Sequence, residues 1–194
     1  MGDENMSDFI TFDTESNIVK EEVINPYELM LEGHPCLKQE ISEYDIKLLP
    51  NAAIKKIVNR MKVTMSTYNG LGLSGPQCGV MERIFIIGTN DFQMVCINPE
   101  IIQTSGQYQK QREGCLSYPG LYLYVERYNK IYVRFWTEVG EMKEVWLEGV
   151  TAQCFQHELD HLDGVCYDEN VKPVAMAMAR KRQQKLIKRI GKNK

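Results

Sequence analysis

Two histidines stand four residues apart in "CFQHELDHLDG", residues 154–164, with a glutamate directly after the first. On a helix such positions project side by side, so His157 and His161 can grip one metal ion. Glu158 then stands beside the metal, where it can take a proton from water. The protein has three histidines, and two of them lie in this apolar stretch, where an imidazole without a partner is costly to bury. The third, His34, precedes a proline, lacks any acidic or metal-like neighbour pattern, and reads as a surface turn.

A catalytic site of this kind needs a further ligand, Cys, His, Asp or Glu, and one open position. The stretch "QREGCLSYPG" (111–120) offers Cys115 between Gly114 and Leu116. A thiolate is a strong ligand for iron or zinc, although taken alone Cys115 reads more readily as a buried core thiol. A third stretch, "NGLGLSGPQCG" (69–79), is glycine-rich, but it follows a helical pattern and carries no Lys-Ser/Thr, which argues against phosphate. Alone it is a helix-to-strand connection. Beside a metal site it becomes a backbone edge for a peptide, with Gln77 as an amide donor to an oxyanion.

These patches need elements to hold them. In "PNAAIKKIVNRMKVTMSTYNG" the residues Ile54, Ile57, Val58, Met61, Met65 and Tyr68 recur at helical spacing, and Asn69-Gly70 supplies the stop. Strand-like runs follow at "RIFIIG", "MVCIN", "KIYVRFW" and "KEVWLEG", the last two alternating about a turn at Gly140. A helix should begin near Gly149 and run to Gly164, and another should follow Pro173. No alternating βαβ pattern is present. The prediction is an α+β fold, with short antiparallel strands packed around a central metal-binding helix, one helix in the N-terminal half and one at the C-terminus. A single catalytic domain is expected over 23–171, preceded by an acidic extension (1–22) and followed by a basic helix (172–194).

With 194 residues, 43% of them hydrophobic, the chain can bury a sizeable core. No apolar run approaches the roughly 18 residues needed to cross a bilayer, and no signal peptide is evident. A soluble, cytoplasmic monomer with no membrane partner is expected. The six cysteines form no CxxC, and disulfides are not expected. The net charge of −3 hides a polarised chain, with −7 over residues 1–30 and +9 over 172–194. The basic end reads either as a solvated cap or as an RNA-facing element.

Taken together, "GLGLSGPQ" (70–77), "EGCLS" (113–117) and "QHELDH" (156–161) resemble, in order, the three motifs of the peptide deformylases. "HPCLKQEI" is similar to the N-terminal strand region of that family, so the resemblance spans roughly 24–170. It implies that Cys115, His157 and His161 bind one divalent metal, Fe2+ in the native state, with Zn2+, Ni2+ or Co2+ possible in purified protein. It makes Glu158 the general base and then acid, and Gln77 with the Leu116 N–H the oxyanion donors. The implied substrates are nascent formyl-methionyl polypeptides, which release formate. They would lie as an added strand along Gly70, Leu71, Gly72 and Gly114, with Glu113 and Arg127 in support. The methionine pocket would be walled by Leu71, Val150, Gln153 and Cys154, although an apolar residue is the simple expectation at 153.

In similar bacterial enzymes the C-terminal helix docks on ribosomal RNA, which makes the ribosome an implied partner. Here Met176, Ala179, Gln183, Leu186, Ile187 and Ile190 form one stripe, and Arg180, Lys181, Arg182, Lys185, Lys188 and Arg189 cover the rest. No motif residue lies beyond Val174, so deletion from there is expected to leave short-peptide turnover nearly unchanged. The chain departs from the family pattern at Ser74-Gly75, which replace an Ala-Ala pair, and at Tyr122, where many bacterial members carry arginine. "CYDENV" and the acidic extension also differ. Two rival readings are an HExxH zinc peptidase with Glu169 as third ligand, and a catalytically idle ribosome-binding module. The presence of Glu158 and Cys115 argues against the second.

Overall fold

The computed structural model describes residues 24–169 and 171–191; the acidic extension expected over 1–22 lies outside them. Helix α1 (Ala52–Thr67) starts where the Asn51 side chain accepts a hydrogen bond from the Ile54 N–H. It buries Ile54, Val58, Met61, Thr64 and Met65. Thr64 joins the apolar face because its hydroxyl accepts from the Tyr27 N–H and donates to the Arg60 carbonyl. Tyr68, expected on that face, is instead exposed, because it lies past the last turn as the C-cap.

Seven strands follow: β1 (Gly72–Ser74), β2 (Ile84–Gly88), β3 (Gln93–Thr104), β4 (Tyr108–Gly114), β5 (Tyr122–Tyr128), β6 (Lys130–Trp136) and β7 (Met142–Glu148). Helix α2 (Gly149–Leu162) and helix α3 (Pro173–Gly191) complete the chain. One antiparallel sheet has the order β1-β2-β3-β6-β7; β4 and β5 form a separate two-stranded ribbon. The expected α+β architecture is the one observed. Strand β1 and the β4–β5 ribbon were not foreseen, and "HPCLKQEI" is not a strand. Pro35–Lys38 make a 3-10 turn, and Glu40 forms a single bridge with Asp163. His34 caps that turn at the surface, accepting the Cys36 N–H at Nδ1.

Alternation along β2 explains how the helices are placed. Phe85 and Ile87 join a cluster with Ala152, Phe155 and Leu162 of α2, while Ile84 and Ile86 join one with Val58, Met61 and Met65 of α1. Successive side chains point to opposite faces, so the sheet has α2 on one side and α1 on the other. The continuous apolar run "IFII" follows from burial on both faces. Phe85 and Phe155 meet edge to face with ring centroids 4.9 Å apart, which fixes α2 against the sheet.

A third cluster packs Leu37, Tyr118, Leu121, Leu123 and Tyr167 against Ala179 of α3, with Met176 beside it. Gln183 Nε2 donates to the Pro119 carbonyl at 2.8 Å, and Arg180 pairs with Glu32. The basic tail is therefore a packed part of the domain. Arg180, assigned to the solvated side, is tied down, and Ile187, assigned to the apolar stripe, is exposed. The side chain of Ile190 lies outside the described residues. Deletion after Val174 would uncover this cluster, a cost in stability that the expectation of unchanged turnover leaves out. All six cysteines are free thiols. Among the described residues no helix is long and apolar enough to cross a membrane.

Candidate metal centre

One ligand atom each from Cys115, His157 and His161 lies within 4.8 Å of the other two. Helix α2 supplies both imidazoles, whose rings stand edge to face with centroids 5.1 Å apart. Cys115 follows directly after β4 and brings Sγ to 3.2 Å from His161 Nε2. The ligands thus come from two elements that share no strand pairing, and side chains hold those elements together.

Glu113, near the end of β4, does this. Its carboxylate accepts hydrogen bonds from Arg127 Nε at 2.9 Å, Arg127 Nη2 at 3.1 Å and His157 Nδ1 at 3.0 Å. Arg127, on β5, also donates through Nη1 to Asp160 at 2.5 Å. Burial alone would raise the Glu113 carboxyl, but the hydrogen bonds from His157 and Arg127 outweigh it and hold it at about 2. An ionised carboxylate can only accept, so His157 carries its proton on Nδ1 and its Nε2 lone pair is free for a metal.

The donor set fits a divalent ion. Burial opposes a charge on His157, yet hydrogen bonds to Cys115 and Glu113 raise its pKa, so a proton and a metal ion compete for its Nε2. His161 is pushed the other way, by burial and by His157, as suits a neutral imidazole ligand. One thiolate and two imidazoles, with no fourth protein ligand in the cluster among the described residues, suit iron or zinc with an open position. Glu169 stands apart: it pairs with Lys38 at 2.5 Å and accepts the Cys166 N–H at 2.7 Å. The peptidase reading loses its third ligand.

Glu158 is buried beside the ligands, and its Oε2 has no hydrogen-bond partner among the described residues. Burial, opposed by His157 and assisted by Glu113, pushes its carboxyl up to about 7. Gln77 is held from both ends. Its Oε1 accepts from the Ser74 N–H (2.9 Å) and Oγ (3.1 Å), and its Nε2 donates to Cys115 Sγ (3.3 Å) and Ser117 Oγ (3.2 Å). Two donors at Oε1 leave the NH2 no choice but to face the metal ligands.

A cavity of about 1150 Å³ opens over this group. Apart from Arg127 and His161, which stand behind it, every residue named from the sequence as catalytic, metal-binding or substrate-binding lines it. Gly72 passes so close to Glu158 that a Cβ would overlap Oε1 and stand 2.7 Å from Cys154 Sγ. At Gly114 a Cβ would stand 2.7 Å from the ring of Tyr122, which also carries the Arg112 guanidinium 4.0 Å from its centroid. Reading the sequence missed Ser74, Ser117 and Asp160. Ser117 and Asp160 lie inside the quoted motifs without a stated role, and Ser74, noted only as a departure from the family pattern, helps orient Gln77 through its hydroxyl.

The sequence pattern of the polypeptide deformylase family matches residues 26–176. The chain belongs to that family. A peptide deformylase of Thermotoga neapolitana is 35% identical over 165 residues, covering 84% of this chain and 97% of that protein. The crystal structure of a peptide deformylase from Legionella pneumophila superposes with a TM-score of 0.77 at 31% identity, covering 88% of this chain and 99% of its own. A Met-Ala-Ser-bound class I type b peptide deformylase from Acinetobacter baumannii superposes at 0.73 with 29% identity, covering 76% and 99%. Membership makes the chain a hydrolase of the deformylase class, acting on formyl-methionyl peptides with one divalent metal.

Proposed function

We propose that this deformylase removes the formyl group from nascent N-formyl-methionyl polypeptides and releases formate, using Cys115, His157 and His161 as its metal ligands. The observation that carries the reading is the convergence of those three with Glu158 and Gln77 on one cavity. When bound, a divalent metal supplies a Lewis acid and a water of lowered pKa. Fe2+ is the native choice on the family resemblance, and the donor set equally admits Zn2+, Ni2+ or Co2+.

Glu158 takes the proton of the attacking water and passes it to the departing amine, which then leaves as the free N-terminus. Burial raises this carboxyl above the usual carboxylate range, which suits a group that must both accept and return a proton. The Leu116 N–H and Gln77 Nε2, the latter exchanging its hydrogen bond to Cys115 Sγ, donate to the oxyanion that develops on the formyl carbonyl, each worth about 2–4 kcal/mol. The peptide backbone lies along Gly70, Leu71 and Gly72 on one side and Gly114 on the other, with the first side chain against Leu71, Val150, Gln153 and Cys154. That the Acinetobacter relative was solved with Met-Ala-Ser bound supports a methionyl peptide as the ligand.

The exposed cations Lys181, Arg182, Lys185, Lys188 and Arg189 of α3 support a ribosomal partner through RNA phosphates. Cytoplasmic location and a monomeric state complete the reading. The test is formate release from formyl-Met-Ala-Ser under anaerobic conditions, with metal analysis of the same sample. Stoichiometric metal without formate would overturn the reading.

A further inference from the structure

The part of the cavity proposed to take the first side chain has one polar residue among its four. Leu71, Val150 and Cys154 line it, and Gln153 stands among them, 9% exposed. On α2, Gln153 lies one turn before His157 and Cys154 one turn before Glu158, so this polar side chain borders the reacting groups. Its Nε2 donates to Glu113 Oε1 at 3.2 Å. That carboxylate already holds Arg127 and His157 and accepts only, which turns the amide nitrogen, not the oxygen, toward it.

One Nε2 hydrogen and Oε1 are left over. Neither has a partner among the described residues, Oε1 is not among the buried atoms left without one, and the side chain lines the cavity. A thioether entering the pocket offers neither of them a strong hydrogen bond. We infer that Gln153 adapts the pocket to a first side chain bearing a hydrogen-bond acceptor where methionine bears its sulfur. Methionine sulfoxide is that side chain: oxidation converts the apolar thioether into a polar S=O of nearly the same length. The free Nε2 hydrogen donates to the sulfoxide oxygen while the other stays on Glu113. The class assigned is therefore N-formyl peptides that begin with oxidised methionine, accepted alongside the unmodified ones. This rests on the deformylase reading above.

The test compares kcat/KM for formyl-Met-Ala-Ser, its methionine sulfoxide analogue and a norleucine analogue, in the wild type and in Gln153→Leu, with metal content measured throughout. The expected wild-type rates for sulfoxide and methionine differ by no more than about tenfold, and Gln153→Leu lowers the sulfoxide-to-methionine ratio by about tenfold or more while favouring norleucine. A ratio that is unchanged or raised in the variant overturns the inference. If the variant loses metal, the wild type decides through calorimetry with the deformylated products. Affinities for Met-Ala-Ser and its sulfoxide within about tenfold support the assignment, and a larger deficit for the sulfoxide overturns it. If metal-loaded wild type deformylates none of the three substrates, the deformylase reading itself has failed.

Discussion

Glu113 accepts a hydrogen bond from His157 Nδ1 at 3.0 Å, and the same carboxylate is gripped by Arg127 from the neighbouring strand. A metal ligand is thereby oriented from outside the ligand set, and its tautomer is chosen by a group that never touches the metal. Glu113→Gln removes the charge and can present its NH2 to Nδ1. Metal affinity, read by chelator competition, should fall about 10–100-fold. Undiminished affinity would mean that the ring is held by its packing alone.

Glu158→Gln should keep the fold and the metal, since the amide matches the carboxylate in shape. It cannot accept the water proton, so formate release should drop by about 10²-fold or more. Activity within about tenfold of wild type would remove Glu158 from the role of base.

Cys115→Ser replaces a thiolate by a hydroxyl that does not ionise near neutral pH. The purified variant should carry well under stoichiometric metal by elemental analysis. Full occupancy would mean that Cys115 is dispensable as a ligand.

Gly72→Ala puts a methyl group into the space of Glu158 Oε1 and against Cys154 Sγ. Because Gly72 lies in a buried three-residue strand, the carboxylate must yield rather than the backbone. Turnover should fall at least about tenfold while metal content is retained, since a displacement of about an ångström at a reacting group has effects of that size. A fully active variant would show that Glu158 works from another rotamer.

Deleting the residues after Val174 strips Ala179 and Met176 from the third cluster and leaves Glu32 without Arg180. Thermal melting should fall by about 5 °C or more, on burial of roughly two apolar side chains. Reversing the charges of Lys181, Arg182, Lys185, Lys188 and Arg189 touches none of those contacts. It should leave melting and short-peptide turnover unchanged yet reduce co-sedimentation with ribosomes at low salt. Equal sedimentation would assign α3 a structural role only.

The elements most legible in the sequence were those whose burial is one-sided or complete. "KIYVRFW" alternates because Ile131, Val133 and Phe135 face the core, and α2 announces itself by its period between two glycines. The ribbon β4–β5 stayed hidden because "YQKQREG" is mostly exposed and offers no hydrophobic alternation. Strand β1 is only three residues long and sits among glycines. At the site, the ligand types and their spacing could be read, since i and i+4 positions follow from helix geometry. Arg127 with Asp160 and Gln153 with Glu113 could not, because only the folded chain brings 33 and 40 residues of separation to hydrogen-bonding distance; Ser74 and Gln77 form a local capping box that the Ser-x-x-Gln spacing does carry. The end positions Tyr68 and Ile187 failed for a simpler reason: a periodic stripe says nothing about where the surface it packs on stops.

The β4–β5 ribbon shares no ladder with the five-stranded sheet. In hydrogen-exchange language it can form a cooperative unit of its own, able to open while the doubly covered β2 stays protected. Cys115 hangs from the end of that unit, whereas both imidazoles belong to the helix packed on the sheet. Metal escape then requires only the ribbon to peel back. Its rate should follow the lifetime of that local opening and stay nearly flat in mild denaturant, at concentrations well below those that unfold the sheet.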